Sequence, residues 1–332
     1  MDADVLVVGA GMAGLTAAGA LAPTRRVVVL DKGRGVGGRV ATRRIGDATL
    51  DHGAQFLTTH GDGFARTVAG WAGAGVVRPW FHRRLGPDGA AGPGRGDGHV
   101  RWRGAPAMTA VAKHLAAGLD VRTSTRVGRV VAAGDGWDVR LDDGGVLSAR
   151  AVLLTAPVPQ SLELIADVVV PVAERLALEA IRYDPCLAAL VPLDGPAGLP
   201  EPGAVAPSHG PVSIAVDNRA KGVSAQPALT VHATPGFSRD HWDAPDADVV
   251  SALLDALGRP VAVAAGAQVM RWRYARPVEV HPQRCVVVAT APPLVLAGDA
   301  FGGPHVEGAV RSGEAAARLV ADLLDRPGSL RT

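Results

Sequence analysis

A chain of 332 residues that is 48% hydrophobic and 20% charged carries enough apolar side chain for one large or two modest domains, which excludes disorder and fibre. Its 42 glycines and 25 prolines keep no fixed period, so collagen-like and repeat architectures are excluded as well. A formal charge of +2, scattered along the chain instead of gathered in a basic stripe, argues against nucleic acid and anionic membrane as partners.

Asp2 and Asp4 precede the first apolar run and no basic segment does, so that run reads as a strand and not as a secretory leader. The most apolar long window, residues 151–172, is broken by Pro157, Pro159, Glu163, Asp167 and Pro171, too interrupted to span a bilayer. Cys186 and Cys285 lie about a hundred residues apart with no paired-cysteine or Cys/His spacing. Neither a disulfide framework nor a metal site is expected, and the reducing cytoplasm is the expected compartment.

Asp4 to Val8 is a continuous β-branched run that stops at a glycine, the pattern of a buried parallel strand. Gly9-Ala-Gly11-Met12-Ala13-Gly14 then opens an Ala/Leu-rich helix ending at Leu21, and Arg26 to Leu30 is a second strand that runs into Asp31. This is a complete βαβ unit for a dinucleotide. Gly9 permits the tight turn, Gly11 admits a pyrophosphate to the backbone, and Gly14 lets the helix sit against the sheet, with the anion on the helix N-terminus at Met12 and Ala13. Asp31, 22 residues after Gly9, is spaced to bind the ribose hydroxyls.

Thr49 to Phe56 is a short polar-apolar segment, and Arg84 to His99, rich in Gly, Pro and Asp, reads as a hairpin tip or lid edge. A helix is expected over Pro106 to Ala117, followed by a small meander over Val121 to Val131, Gly136 to Leu141 and Gly145 to Leu153. The apolar strand from Ala151 stops at Thr155-Ala-Pro157, where the chain leaves the first domain, and helices over Gln160 to Leu164 and Val172 to Glu179 begin the second. That domain continues with strands over Pro185 to Leu193, Val212 to Val216, Ala228 to Ala233 and Gln268 to Tyr274, a proline-rich loop over Gly195 to Pro211, and a helix over Pro245 to Leu257. Cys285 to Ala289 and Leu294 to Asp299 return as strands of the first domain, closed by a helix over Val306 to Leu324. The pattern predicts an α/β fold: a Rossmann-like domain from residues 1–75, 104–160 and 280–332, and a second α+β domain, mixed sheet plus helices, from residues 76–103 and 161–279.

The second glycine cluster, Lys32-Gly33-Arg34-Gly35-Val36-Gly37-Gly38-Arg39, resembles the G-G-R segment of the flavoprotein amine oxidase superfamily. Asp51-His52-Gly53-Ala54-Gln55 resembles its D-x-G-A-Q stretch, and Gly298-Asp299 with Val306-Glu307-Gly308-Ala309 resembles its second flavin-binding element. The resemblance implies FAD, held without a covalent bond because neither cysteine lies in a flavin-linking context. It also implies roles: Arg39 meets the pyrophosphate and His52 to Gln55 run beside the isoalloxazine. Val127 meets adenine through its backbone, Asp299 bonds the ribityl chain, and Glu307 to Ala309 face the pyrimidine end. His52 has two readings, a catalytic one and that of a loop support.

Ala41-Thr-Arg-Arg44, Thr155-Ala-Pro157-Val-Pro159-Gln160, Asp217-Asn218, Thr230-Val-His232-Ala-Thr234 and Arg271-Trp272-Arg273-Tyr274-Ala275 follow the order of the renalase-like family across nearly the whole chain. That likeness implies an oxidase that converts 2- or 6-dihydro isomers of NAD(P)H to NAD(P)+ by hydride transfer to flavin N5, with O2 reduced to H2O2. It places Trp272 against the nicotinamide ring and Asn218 and His232 on its carboxamide. An amine oxidase is the alternative, although the chain has two tyrosines and, outside Lys32 and Lys113, only Lys221. A lipid or porphyrin dehydrogenase would want an amphipathic basic helix that is not found, and a non-catalytic flavin sensor is the fourth reading. Asp31 stands where many relatives carry Glu, and the loops at 84–99 and 195–211 have no counterpart.

Overall fold

A computed structural model describes residues 1–82, 84–90, 98–258 and 263–326. The chain begins with β1 (Ala3–Val8), α1 (Met12–Leu21) and β2 (Val27–Leu30), then a 3-10 turn at Gly38–Val40 and a ribbon of β3 (Thr42–Ile45) and β4 (Ala48–Asp51). Helix α2 (Asp62–Gly73), β5 (Val77–Phe81), the hairpin β6 (Leu85–Gly86) and β7 (Gly89–Ala90), and β8 (Arg101–Gly104) follow. Of the expected 84–99 segment, residues 91–97 lie outside the described residues. Next come α3 (Thr109–Ala116), β9 (Asp120–Arg122), β10 (Val127–Ala133), β11 (Gly136–Leu141), β12 (Val146–Leu154), α4 (Val158–Leu164) and α5 (Val172–Glu179). The middle of the chain supplies β13 (Tyr183–Pro192), β14 (Ala204–Val205), β15 (Val212–Asp217), β16 (Ala228–Ala233), α6 (Pro235–Asp240), α7 (Asp246–Ala256) and β17 (Gln268–Pro277). It closes with β18 (Val286–Thr290), β19 (Pro293–Leu296), α8 (Asp299–Gly302) and α9 (Val306–Asp325).

Two compact units result, one of residues 1–38, 112–182 and 277–332, the other of residues 39–111 and 183–276. This division differs from the expected one. Residues 39–75 join the second unit because the β3–β4 ribbon packs Ile45, Ala48 and Leu50 on Leu190, Ala228 and Met270. Residues 161–182 stay with the first unit, where Glu174 of α5 pairs with His281 at 3.2 Å.

The first unit is built on an eight-stranded sheet whose main order is β10-β11-β12-β1-β2-β9, with β19 on β12 and β18 on β19. Strands β9, β2, β1, β12 and β19 run parallel. Their apolar runs, such as Val27–Leu30 and Pro293–Leu296, are buried at every residue, as strands covered on both faces require. The expected meander joins this sheet, since β12 pairs with β11 through Val146–Ala149 and with β1 through Ala149–Leu154. The single strand expected over Val121 to Val131 is two strands. Ser124 and Thr125 give their N–H groups to the Gly33 and Asp31 carbonyls, and Ser124 takes φ +54°, which pulls the chain out of the ladder between β9 and β10.

The second unit is a five-stranded sheet in the order β14-β15-β16-β13-β17. Alternation along β13 sorts its two faces. Leu187, Ala189 and Val191 point into a core with Val231, Val249, Leu253 and Val269, while Leu190 points to the ribbon. Helix α3 begins at Thr109, three residues later than expected. Its first N–H groups are capped from a distance: Met108 N donates to Asp51 Oδ1 at 3.0 Å and Thr109 N to Thr42 Oγ1 at 3.2 Å.

Candidate active site

In the first unit, the turn after β1 is shaped by missing side chains. Gly9 has φ +114°, and a Cβ on Gly14 would fall 2.0 Å from the Gly9 carbonyl oxygen. A Cβ on Gly11, by contrast, would meet nothing within 4 Å, and α1 starts there without a side-chain cap. The amides at Met12 and Ala13 and the positive end of the helix therefore open on free space, the geometry that takes a phosphate. Asp31 accepts the N–H groups of Ala10 and Gly33, each at 2.6 Å, and so ties the two glycine turns together. Its carboxylate retains lone pairs for a ribose hydroxyl. Gly37 N donates to Ala10 O at 2.8 Å, and the Cβ position of Gly38 is 3.8 Å from Gly11 Cα, so the second glycine cluster lies over the first. Burial lowers the pKa of the adjacent Lys32, with Arg126 adding to the shift and Asp31 and Glu163 opposing it.

Val127 is the buried first residue of β10, paired with Leu141. Gly298 takes φ +140° and donates to Ser312 Oγ at 2.8 Å, leading into buried Asp299. A Cβ on Gly308 would fall 2.2 Å from Gly303 O, so α8 and α9 turn tightly on each other. Glu307 forms a 3.3 Å ion pair with Arg311, and Ala309 N is spent on His305 O at 3.1 Å. Of the amides expected to face a ligand at the start of α9, the one at Ala309 is thus committed inside the helix.

The second unit gathers His52, Gln55, Asn218, His232 and Trp272 into one polar cluster, the first three buried and His232 and Trp272 half-buried. At its centre is a pair that the sequence did not single out. Lys221 Nζ lies 2.8 Å from Asp51 Oδ2, both side chains fully buried, 3.2 Å from Gln55 Oε1, and 5.3 Å from the Trp80 ring centroid. Burial lowers the Lys221 pKa and Asp51 opposes that shift. A turn after β15 throws Lys221 inward: Asp217 Oδ1 accepts the N–H groups of Arg219 and Ala220, and Lys221 N donates to Asp217 O. The available signal was the one lysine found after Lys113, together with the acid that opens Asp51-His52-Gly53-Ala54-Gln55.

Around this pair Gln55 Nε2 donates to Asp51 O at 2.8 Å and Gly53 O at 3.1 Å and lies 3.5 Å from His232 Nε2. Asn218 is fully buried. Its Oδ1 accepts Asp51 N at 3.2 Å, and its Nδ2 donates to Thr230 Oγ1 at 2.9 Å and Ala228 O at 3.4 Å. Every polar atom of that amide is in use, so the expected carboxamide contact does not fit Asn218, which instead clamps the β4 end. Gly53 leaves no room for a Cβ, which would sit 2.0 Å from Arg39 O. Ala54 N donates to that same oxygen at 2.8 Å, and the Arg39 guanidinium reaches the Tyr274 and Ala275 carbonyls at 3.3 Å.

His52 stacks on Trp272, with centroids 5.3 Å apart and planes 14° apart, and Trp272 Nε1 donates to His52 O at 2.9 Å. The His52 ring is 6% exposed, and its Nδ1 is buried without a partner. Burial brings the His52 pKa down to about 4, Arg43 adding to it and Asp51 opposing. Burial and then Lys221 bring His232 to about 4, with the His52 carbonyl opposing. Both rings are neutral at pH 7. Within the first unit, the open, uncapped start of α1 fits a pyrophosphate-bearing nucleotide; within the second, the orphaned His52 nitrogen fits a polar ligand group. Among the described residues, no group of three or more His, Cys, Asp or Glu is placed to hold a metal.

These features define a dinucleotide-binding oxidoreductase. The chain matches the family described as flavin containing amine oxidoreductase over residues 91–321 and an NAD(P)-binding Rossmann-like domain over residues 7–68, and it belongs to that flavin-dependent family. It is a renalase-like member: renalase from Mus musculus is 26% identical over 342 residues, covering 93% of this chain and 96% of that one. Two solved structures share the fold. They are cyclohexylamine oxidase from Brevibacterium oxydans (TM-score 0.72, 14% identity, 98% and 100% coverage) and a putative protoporphyrinogen oxidase from Exiguobacterium (TM-score 0.67, 14% identity, 97% and 99% coverage). The protein is a flavin-dependent oxidoreductase acting on a small molecule. Among the described residues, no helix is long and apolar enough to cross a membrane.

Proposed function

We propose that this enzyme binds FAD noncovalently and oxidises 2- or 6-dihydro isomers of NAD(P)H to NAD(P)+, with O2 reduced to H2O2, in the cytoplasm. The carrying observation is geometric: in the polar cluster Lys221 is sealed against Asp51 and Trp272 is fixed by its bond to the His52 carbonyl as a flat aromatic face. His52 and His232 are held near 4 and Lys221 is locked to Asp51, so none of them is poised to take a proton at pH 7. A dihydropyridine needs no base, because its electron pair leaves as hydride while the ring nitrogen becomes a pyridinium. When bound, FAD supplies the hydride acceptor and passes both electrons to O2.

The chain's own residues have separable tasks. Gly9, Gly11, Met12, Ala13 and Gly14 receive the pyrophosphate and Asp31 the ribose. Trp272, held by its bond to His52 O, presents a rigid aromatic wall that excludes water and orients a flat ring. Arg43 adds positive charge beside His52, which suits a phosphate-bearing substrate and opposes an ammonium group. The lysine an amine oxidase would call on, Lys221, is sealed in its ion pair, and Tyr183 and Tyr274 meet edge to face at 74° instead of forming a parallel cage. Burial pushes the Cys186 thiol up to about 12 and also raises Cys285, which keeps both from forming a thiolate link to the flavin.

The test is anaerobic mixing of the yellow holoenzyme with dihydronicotinamide isomers, ordinary NADH and a panel of amines. Bleaching of the visible flavin band by the isomers, with recovery and H2O2 on admitting air, is expected. Bleaching by an amine and not by the isomers would refute the reading.

A further inference from the structure

We propose that Lys221 is a positioning residue which, acting through Gln55, fixes the proton of neutral His232 on Nδ1. The argument uses only what each atom is able to do. An ammonium donates and never accepts, so the Gln55 atom 3.2 Å from Lys221 Nζ is the amide oxygen. The other end of that amide faces the carbonyls of Asp51 at 2.8 Å and Gly53 at 3.1 Å, and carbonyls only accept, so that end is the NH2. The two constraints agree and fix the amide from both sides.

Gln55 therefore presents N–H groups, and no acceptor, to His232 Nε2 at 3.5 Å. An N–H on that ring nitrogen would meet donor with donor, whereas a lone pair there shares the amide hydrogens in a three-centre contact. The proton stays on Nδ1. Asp51 keeps Lys221 in place, and is itself held by Thr42 Oγ1, Met108 N and Lys221 Nζ. His232 consequently offers a ligand a hydrogen-bond donor at Nδ1 and no base at Nε2. The link to catalysis rests on the proposed substrate, whose carboxamide oxygen would accept from that donor. The tautomer itself does not.

The experiment is 15N NMR of the flavin-loaded protein carrying 15N-histidine, with the His232 signals identified by their loss in His232→Gln. The expected result at pH 7 is a protonated Nδ1 and an unprotonated Nε2. In Gln55→Glu the group facing His232 becomes an acceptor, and the proton is expected to move to Nε2. In the double variant Asp51→Asn/Lys221→Met, which removes the pair without leaving one charge buried, only the Asp51 and Gly53 carbonyls still orient the amide, and an Nε2–H population is expected beside Nδ1–H. With a dihydronicotinamide isomer as substrate, the double variant is expected to raise KM about five-fold, the scale of one neutral hydrogen bond, with kcat changed less. A wild-type Nε2–H tautomer, or an unchanged Nδ1–H tautomer in folded Gln55→Glu, would overturn the proposal. Because the tautomer is read on the protein itself, failure of the dihydronicotinamide reading leaves this outcome decided independently.

Discussion

Removing one charge of the Asp51–Lys221 pair tests how the second unit is held together. Lys221→Met keeps the aliphatic stem and deletes the ammonium, leaving the Asp51 carboxylate fully buried. Losing one partner of a buried pair costs about 3–5 kcal/mol, and Thr42 and Met108 still donate to Asp51, so we expect about 3 kcal/mol. For a unit of this size each kcal/mol lowers Tm by about 2–4 °C, which gives a drop of roughly 6–12 °C. The double variant Asp51→Asn/Lys221→Met leaves no buried charge while retaining a side-chain carbonyl for the Met108 amide, and is expected to lie within about 1–2 kcal/mol of the parent. Urea unfolding followed by far-UV circular dichroism gives the free energies. Tryptophan fluorescence reports locally, because the ammonium lies over Trp80. A single-variant cost below about 1 kcal/mol, or a double variant as damaged as the single one, would refute the account.

Three further outcomes are expected. Below the ordinary histidine value of 6.5, the unfolded chain takes up protons that His52 and His232 refuse until about 4. Stability should thus fall as pH drops through that window, by up to about 1.4 kcal/mol per pH unit for each ring, and a urea series at pH 7 and 5 should show a shallower slope in His232→Asn than in the parent. Asp31→Ala removes the acceptor shared by the Ala10 and Gly33 amides, and the purified protein should carry much less flavin by its visible absorbance; full occupancy would contradict the assignment. Trp272→Ala loses the His52 stack and should slow flavin reduction in stopped-flow mixing while flavin stays bound, an outcome that an unchanged rate would exclude.

The elements written in short-range pattern were legible before the fold was seen. The β1–α1–β2 unit is one: its glycines, apolar runs and acid lie within about thirty residues and answer to steric rules that act locally. Strand β16 and helix α5 likewise appear at their expected bounds. What escaped depended on distant partners. The break between β9 and β10 arises from backbone bonds to Asp31 and Gly33, and the late start of α3 from side chains on β3 and β4. In the site, likeness to a family named Trp272 and His232, which the structure brings into one cluster with His52 and Gln55. The commitment of Asn218 to Asp51, Thr230 and Ala228 required the tertiary contacts. Lys221 was weighed only as the lysine an amine oxidase would use, because the acid it pairs with stands 170 positions earlier.

The meeting of α1 and α9 bears on how the chain is made. A Cβ on Gly313 would fall 2.3 Å from the Ala13 carbonyl oxygen, so the helix that starts the nucleotide fold rests on one synthesised some 300 residues later, and β12 waits for β19. Translation at about 5–20 residues per second leaves β1, α1 and β2 without that cover for tens of seconds, while Tyr183–Arg276, which lies between, has already emerged. The first unit therefore cannot close its nucleotide fold until α9 and β19 have been made.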